Sequence, residues 1–318
     1  MAAIGTDIDF AKNLLIKGEL VAIPTETVYG LAGNAFNPGA VTKIFQVKNR
    51  PEFDPLITHT NDLAKVKKYV KNIPEQAKQL AEAFWPGPLT LLLAKDDHIP
   101  DIVTSGLATV AVRIPNHPLT LELLGNLDFP VAAPSANPFG YISPTTASHV
   151  ADQLGAKISY ILDGGPCKIG IESTIIGFED SKPVVYRLGG MSVEEIEKIA
   201  GKVSIKPHSS SNPLAPGMLK SHYAPKNNLI IGDINVLLSQ FDIKDIAILS
   251  LKDSYPGLES DRQIILSRAG DLNEAAKNLF SAMRYLDTLP VQFILTELMP
   301  DRGLGRAIND RLQRAAAK

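Results

Sequence analysis

Residues 24–31 read P-T-E-T-V-Y-G-L, directly after the apolar run L-V-A-I at 20–23. Hydroxyls, a carboxylate and a phenol at the end of a β-type run are polar groups delivered to one place, and open α/β sheets bind ligands outside the carboxyl ends of their strands. The chain repeats the device. T-V-A-V-R-I-P places Arg113 at the end of a β-branched run, where period-2 alternation sets it on one face with Ala111 and Thr109. A guanidinium beside a buried strand end is costly unless it meets an anion; a ligand and a structural carboxylate satisfy it equally. V-A-A-P-S-A-N-P presents Ser135 and Asn137 on a backbone stiffened by proline. That suits a preorganised ligand site, although an ordinary turn uses the same residues. I-E-S-T-I-I presents Ser173 and Thr174 at a strand start, and V-V-Y-R-L-G-G ends a strand with Arg187 before two glycines that let backbone approach a ligand.

K-N-R-P at 48–51 adds Lys48 and Arg50 after a helix. Cations are favoured at a helix C-terminus, and the same pair beside a rigid proline suits a triphosphate, which arginine grips bidentately. H-Y-A-P at 222–225 puts an imidazole and a phenol in a Pro/Gly-rich segment. Such a segment could close over a site, or be anchored by one buried tyrosine. There is no P-loop, dinucleotide fingerprint or nucleophile elbow. His59, His98, His117, His149, His208 and His222 show no metal-ligand spacing. Lys65, Lys67, Lys68 and Lys71 read as a solvated helix face.

These groups need a framework. Expected strands lie at 20–23, 89–93, 110–114, 131–133, 158–162, 173–176 and 184–186, with helices at 38–47, 74–84, 118–124, 145–154 and 193–200; Pro38 and Pro74 suit first helical turns. The alternation predicts an α/β sheet with helices packed on it, not a strictly regular doubly wound one. Residues 206–227 are polar and rich in Pro and Ser, as a linker is. Strands then return at 229–231, 246–249, 264–266 and 293–295, with helices at 234–241, 272–286 and the C-terminus, enough for a small domain. The expected division is a larger domain at 1–205, a linker at 206–227 and a small α/β domain at 228–318.

A chain of 318 residues is right for two domains. With 45% hydrophobic and 21% charged residues it has an ordinary globular composition. A formal net charge of -2 supplies no global basic field for nucleic acid or anionic lipid. The single cysteine, Cys167, allows no intrachain disulfide and fits a reducing compartment. No secretion signal is visible at 1–9, and nothing approaches about eighteen uninterrupted apolar residues, so a soluble cytoplasmic protein is expected.

In order along the chain, P-T-E-T-V-Y-G-L, K-N-R-P with D-P-L-I-T-H, V-R-I-P-N-H-P, P-S-A-N-P, E-S-T-I-I, Y-R-L-G and P-G-M-L-K-S-H-Y-A-P resemble the YrdC-like family of L-threonylcarbamoyladenylate synthases in its two-domain form. The resemblance covers essentially the whole chain, most densely up to Arg187 and across 215–225. It implies a twisted open mixed α/β sheet with a positively charged cleft as the catalytic domain, and a smaller Rossmann-like α/β domain. It implies nucleotidyl transfer: L-threonine, bicarbonate or CO2 and ATP give threonylcarbamoyl-AMP and pyrophosphate, with Mg2+ accompanying ATP and no direct protein ligand to the metal. The product feeds threonylcarbamoyladenosine formation in tRNA, which implies tRNA and downstream threonylcarbamoyl-transferring proteins as partners.

For sites, the resemblance implies Thr27, His59, Arg113, the backbone of Ala133 and Ser173 for threonine. For ATP it implies Lys48, Arg50, Thr109, Ser135, Asn137, Ser143 and Arg187, with Asp54 a weaker contact and Tyr223 closing over the nucleotide. Lys48 and Arg50 would neutralise charge during catalysis, and no covalent nucleophile is implied. Two residues depart from the family pattern. Asp54 stands where many relatives carry Asn, and a carboxylate near a triphosphate repels it unless it meets Mg2+ or points away. Phe139 stands where a hydroxyl is usual. A competing expectation is a module that grips double-stranded RNA or tRNA by its phosphates without ATP turnover; the net charge weighs against it. The C-terminal domain lacks phosphate-loop glycines and is expected to position the linker rather than bind a regulatory nucleotide.

Overall fold

The computed structural model describes residues 1–206, 213–219 and 221–317. The stretch 207–212 of the expected linker, with His208, and Lys220 of the H-Y-A-P motif's leading segment lie outside the described residues. Eleven strands form one mixed sheet. Across it the order is Ala3–Gly5, Tyr160–Leu162, Val21–Ile23, Gly30–Asn34, Val131–Ala132, Ile57–His59, Thr109–Arg113, Leu89–Ala94, Thr174–Glu179, Lys182–Arg187 and Ser204–Ile205. Four parallel strands, Asn228–Ile231, Phe293–Thr296, Ile246–Ser250 and Gln263–Ile265, make a second sheet. The expected α/β class holds in both parts. Among the described residues no helix is long and apolar enough to cross a membrane.

The helices start where side chains can take their free amides. Asn37 accepts from the amides of Gly39 and Ala40, with Pro38 in the first turn of Pro38–Lys48, and the helix ends on Asn49 in left-handed geometry (φ 52°). That turn throws Arg50 back toward the sheet. Ser192 and Glu195 form a capping box on Val193–Ala200, and Asp271 caps Leu272–Leu286. Pro74 instead precedes its helix, Glu75–Phe84, as the capping residue.

Strand direction decides what the sheet can bring together. Leu89–Ala94 runs antiparallel to Thr109–Arg113 and parallel to Thr174–Glu179, which is antiparallel to Lys182–Arg187. The ends of two strands, at Arg113 and Arg187, therefore share one edge with the starts of two others, at 87–89 and 173–174. Val131–Ala132 runs antiparallel to Ile57–His59, so the Ala133 amide donates to the Ile57 carbonyl at 3.0 Å and Ser135 bridges to Gly30. Polar groups thus converge from strand starts as well as strand ends, unlike the single line of carboxyl ends that the motifs suggest.

Each sheet has apolar clusters of its own, and one further cluster spans the two. Val28, Ile142 and Ile171 of the larger part share one buried cluster with Tyr223 and with Ala275, Ala276, Leu279 and Phe280 of the helix Leu272–Leu286. At the same junction Gly170 (φ 81°) comes so close that a Cβ there would lie 2.3 Å from the Lys277 carbonyl oxygen. Only glycine fits both that backbone conformation and that approach.

Candidate active site

The sheet edge, with Pro216, Gly217, His222 and Tyr223, borders a cavity with about 610 Å³ of space unfilled by atoms, part of it continuous with solvent. Arg50, His59, Arg113, Ser173, Arg187 and Tyr223 line it, with Ala133 and Ser135. Thus eight residues singled out from the sequence, drawn from segments up to 173 positions apart (223 − 50), surround one space. The remaining six do not line it; five have a visible occupation and Thr109 lies elsewhere on its strand.

Thr27 is fully buried and its hydroxyl meets that of Thr25 at 2.8 Å; Thr25 is the threonine on the cavity wall. Lys48 is buried at the end of its helix, where Nζ donates to the Ser135 and Asn137 carbonyls at 2.6 and 2.5 Å. It therefore braces the 135–137 loop rather than capping its helix. Asn137 Nδ2 donates to the Pro138 and Tyr141 carbonyls at 2.9 and 2.8 Å. Ser143 donates to Glu172 Oε1 at 2.6 Å. Asp54 pairs with Arg50 Nη2 at 2.9 Å and accepts the Gly217 amide at 3.3 Å. Thr109 sits at the opposite end of its strand from Arg113, about 13 Å along the chain direction.

The charges of the wall are partly balanced from within. Arg113 Nη2 lies 2.7 Å from Glu26 Oε1, and its Nε donates to the Gly87 carbonyl at 3.1 Å. The structural carboxylate left open as Arg113's partner is thus Glu26, which also accepts the Asn116 amide at 2.9 Å. Arg50 has Asp54 and the Asp54 and Pro55 carbonyls. Arg187 differs: its nitrogens donate to the carbonyl and hydroxyl of Ser173 at 2.9 to 3.1 Å and to the Pro216 carbonyl at 3.3 Å. Among the described residues no carboxylate lies within salt-bridge distance of Arg187 or of Lys48. Burial lowers the Arg187 pKa to about 10. Burial first, then the neighbouring Arg50, holds the Lys48 ammonium well below its ordinary range. Two buried cations without carboxylates form an anion-seeking centre.

His59 lines the cavity from the neighbouring strand, in register with Arg113. Burial and then the Arg113 charge push its pKa down to about 3, so it stays a neutral imidazole. Its Nδ1 is buried with no partner among the described residues, a free site for a ligand's donor.

The covering segment is held from both parts of the chain. Tyr223 is 1% exposed and adopts φ 66°. Its ring stacks on Phe280 at 5.4 Å, and Arg311 and Arg314 lie 5.1 and 4.8 Å from its centre. His222 meets Phe139 edge to face at 5.6 Å, and Phe139 lies 5.9 Å below the Arg50 guanidinium. The two departures from the family pattern, Asp54 and Phe139, therefore both link Arg50 to the covering segment. Sequence reasoning passed over Thr25, Glu26, Glu172 and Arg311. Glu26 and Glu172 sat inside quoted motifs, whereas nothing around Arg311 marks it out.

A family model described as telomere recombination, Sua5–YciO–YrdC, matches residues 13–189. A second, described as the C-terminal domain of threonylcarbamoyl-AMP synthase, matches residues 191–317. The chain is similar to the threonylcarbamoyl-AMP synthase of Pyrococcus abyssi, 41% identical over 97% of this chain and 94% of that protein. It is also similar to the Bacillus subtilis protein of the same name, 42% identical over 96% and 92%. The crystal structure of P. abyssi Sua5 complexed with L-threonine superposes with a TM-score of 0.92 at 39% identity, covering 100% of this chain and 98% of that one.

Proposed function

The chain belongs to the Sua5–YciO–YrdC family and carries the C-terminal domain of threonylcarbamoyl-AMP synthases, and from that premise we propose that it joins L-threonine, bicarbonate or CO2 and ATP into threonylcarbamoyl-AMP and pyrophosphate, for tRNA threonylcarbamoyladenosine formation. The observation that carries the reading is the pair of buried cations, Lys48 and Arg187, held by carbonyl and hydroxyl oxygens on and behind the wall of one cavity. A polyanion supplies the missing countercharge. The double-stranded RNA alternative has no comparable support, because Arg187 is buried in a cavity wall and Lys48 is buried behind it, whereas duplex phosphates are met by exposed cations.

Arg113 is the proposed partner of the threonine carboxylate. Glu26 holds one edge of its guanidinium and the Gly87 carbonyl takes Nε, which fixes the plane in which the ligand must lie. Neutral His59 offers Nδ1 to the amine, and Ser173, Thr25 and Ala133 lie within the same lining. A nearby guanidinium and a neutral imidazole favour the uncharged amine, which attacks CO2 and loses one proton to water, or attacks bicarbonate, whose hydroxyl takes that proton and leaves as water. The resulting carbamate oxygen attacks the α-phosphorus and pyrophosphate leaves. Arg50, Arg187 and Ser135 would meet the phosphates and Lys48 would fix the loop that carries Ser135. With no covalent nucleophile in play, the rate rests on placement and preorganised charge, of which placement is worth up to about 7–11 kcal/mol.

Mg2+ would arrive with the triphosphate and moderate its charge. The carboxylates nearest the cavity fit that arrangement: Glu26, Asp54 and Glu172 are each committed to an arginine. The ion would keep phosphate and water ligands, as Mg2+ commonly does. Incubation with ATP, labelled bicarbonate and each amino acid in turn, with pyrophosphate release as readout, tests the whole reading. Release that ignores threonine would overturn it.

A further inference from the structure

The last helix, Gly305–Ala316, buries Asp310, Arg311 and Arg314. Arg311 is fully buried. Its Nε donates to Glu172 Oε2 at 2.9 Å, its Nη2 to the Leu188 carbonyl at 2.8 Å and its Nη1 to Asp310, while its flat face covers the Tyr223 ring. Glu172 lines the cavity 139 positions earlier in the sequence, and its other oxygen accepts the Ser143 hydroxyl. Among the described residues Arg311 is the one cation within salt-bridge distance of Glu172.

A bare carboxylate on the wall of a triphosphate site would repel its ligand. Burial by itself raises the Glu172 pKa, but Arg311, then Arg187 and the Ser143 hydroxyl, outweigh it and hold the carboxyl below its ordinary range. The group is charged and needs its countercharge. Arg311 meets that need with one edge of its fork while the other edge and the face engage Leu188 and Tyr223, a division of labour that a point-charge lysine cannot copy in full.

We propose that Arg311 is a positioning residue of the nucleotide site, supplied by the C-terminal domain: it neutralises Glu172 in the cavity wall and seats Tyr223, so that triphosphate is accepted and covered. The inference rests on the reading of the cavity as an ATP site. It gives the C-terminal domain a direct electrostatic part in that site, beyond carrying the linker.

The test compares the full chain with R311M, R311K, E172Q and E172Q/R311M. Binding of a non-hydrolysable ATP analogue with Mg2+ is followed by calorimetry from about pH 5.5 to 8.5, alongside threonine-dependent pyrophosphate release. R311M is expected to weaken analogue binding about tenfold or more at pH 8. Without Arg311 the Glu172 pKa rises, the neutral form gains at lower pH, and the defect shrinks toward pH 5.5. E172Q/R311M should recover most of the loss and show no such slope, and R311K, which keeps the charge but not the fork, should lose less than R311M. Analogue binding by R311M within about twofold of the parent overturns the proposal. So does a loss that is equal at both pH extremes and unrelieved by E172Q, the signature of a merely structural role. If R311M does not fold, R311K decides: a tenfold, pH-independent loss there refutes the charge argument. A parent that binds the analogue yet releases no pyrophosphate sinks the reaction and leaves the role of Arg311 standing.

Discussion

Replacing Arg113 by methionine separates its two duties, because its partner Glu26 is as buried as it is. The two side chains are 4% and 6% exposed and 2.7 Å apart. Arg113→Met leaves the Glu26 carboxylate with the Asn116 amide as its remaining hydrogen bond and no countercharge, which typically costs about 3–5 kcal/mol of stability. Adding Glu26→Gln removes the stranded charge while keeping an acceptor for Asn116, so the double variant should regain at least half of that loss. Threonine affinity should not return. Losing the carboxylate's partner is worth about 2–5 kcal/mol, or about thirtyfold to a few thousandfold in Kd, in the single and the double variant alike. Urea unfolding measures the first quantity and calorimetric threonine titration the second. Two outcomes refute the reasoning: a single variant within about 1 kcal/mol of the parent, or a double variant that binds threonine like the parent.

Three further outcomes are expected. Tyr223→Ala removes the ring between Phe280 and the two arginines, so more of the adenylate should be lost to water per turnover; an unchanged intermediate lifetime on the protein would count against the covering role. Stability should rise with pH between about 4 and 7. The reason is that burial holds His59 at about 3 and His149 at about 4, below the value in the unfolded chain, so the unfolded state binds more protons across that window. His149→Gln should flatten the slope in chemical denaturation, and an identical slope would dismiss His149 as a contributor. Gly189→Ala would place a Cβ 2.4 Å from the Glu172 carbonyl oxygen and 2.5 Å from that of Ser173. Because both are backbone atoms the strand must shift, costing about 3 kcal/mol or more, with ATP binding impaired; a urea midpoint equal to the parent's would show that the turn yields freely.

Much of the framework was legible because it obeys local rules. Val193–Ala200 and Leu272–Leu286 were read to the residue, since each begins at a capping side chain and carries a clear apolar stripe. Gly30–Asn34, with the sequence G-L-A-G-N, was missed because two glycines erase the β signature. Ile57–His59 and Ala3–Gly5 are three residues each and too short to show a period. For the site, residues that stand at strand termini were found, Arg113 and Arg187 among them. Pairing was not legible: no local pattern says that Arg113 meets Glu26, or that a last-helix arginine reaches Glu172. Such contacts depend on strand direction and on how the two sheets meet, which are properties of the whole chain.

The junction between the sheets has a thermodynamic consequence. Val28, Ile142 and Ile171 share a buried cluster with the helix Leu272–Leu286, so although each part also has apolar clusters of its own, an apolar seam couples the two. Two sheets then melt as one cooperative body, and a heating scan should trace a single transition. Ligands gripped by Arg50 and Arg187 would accordingly raise the melting temperature of the four parallel strands, which they never touch.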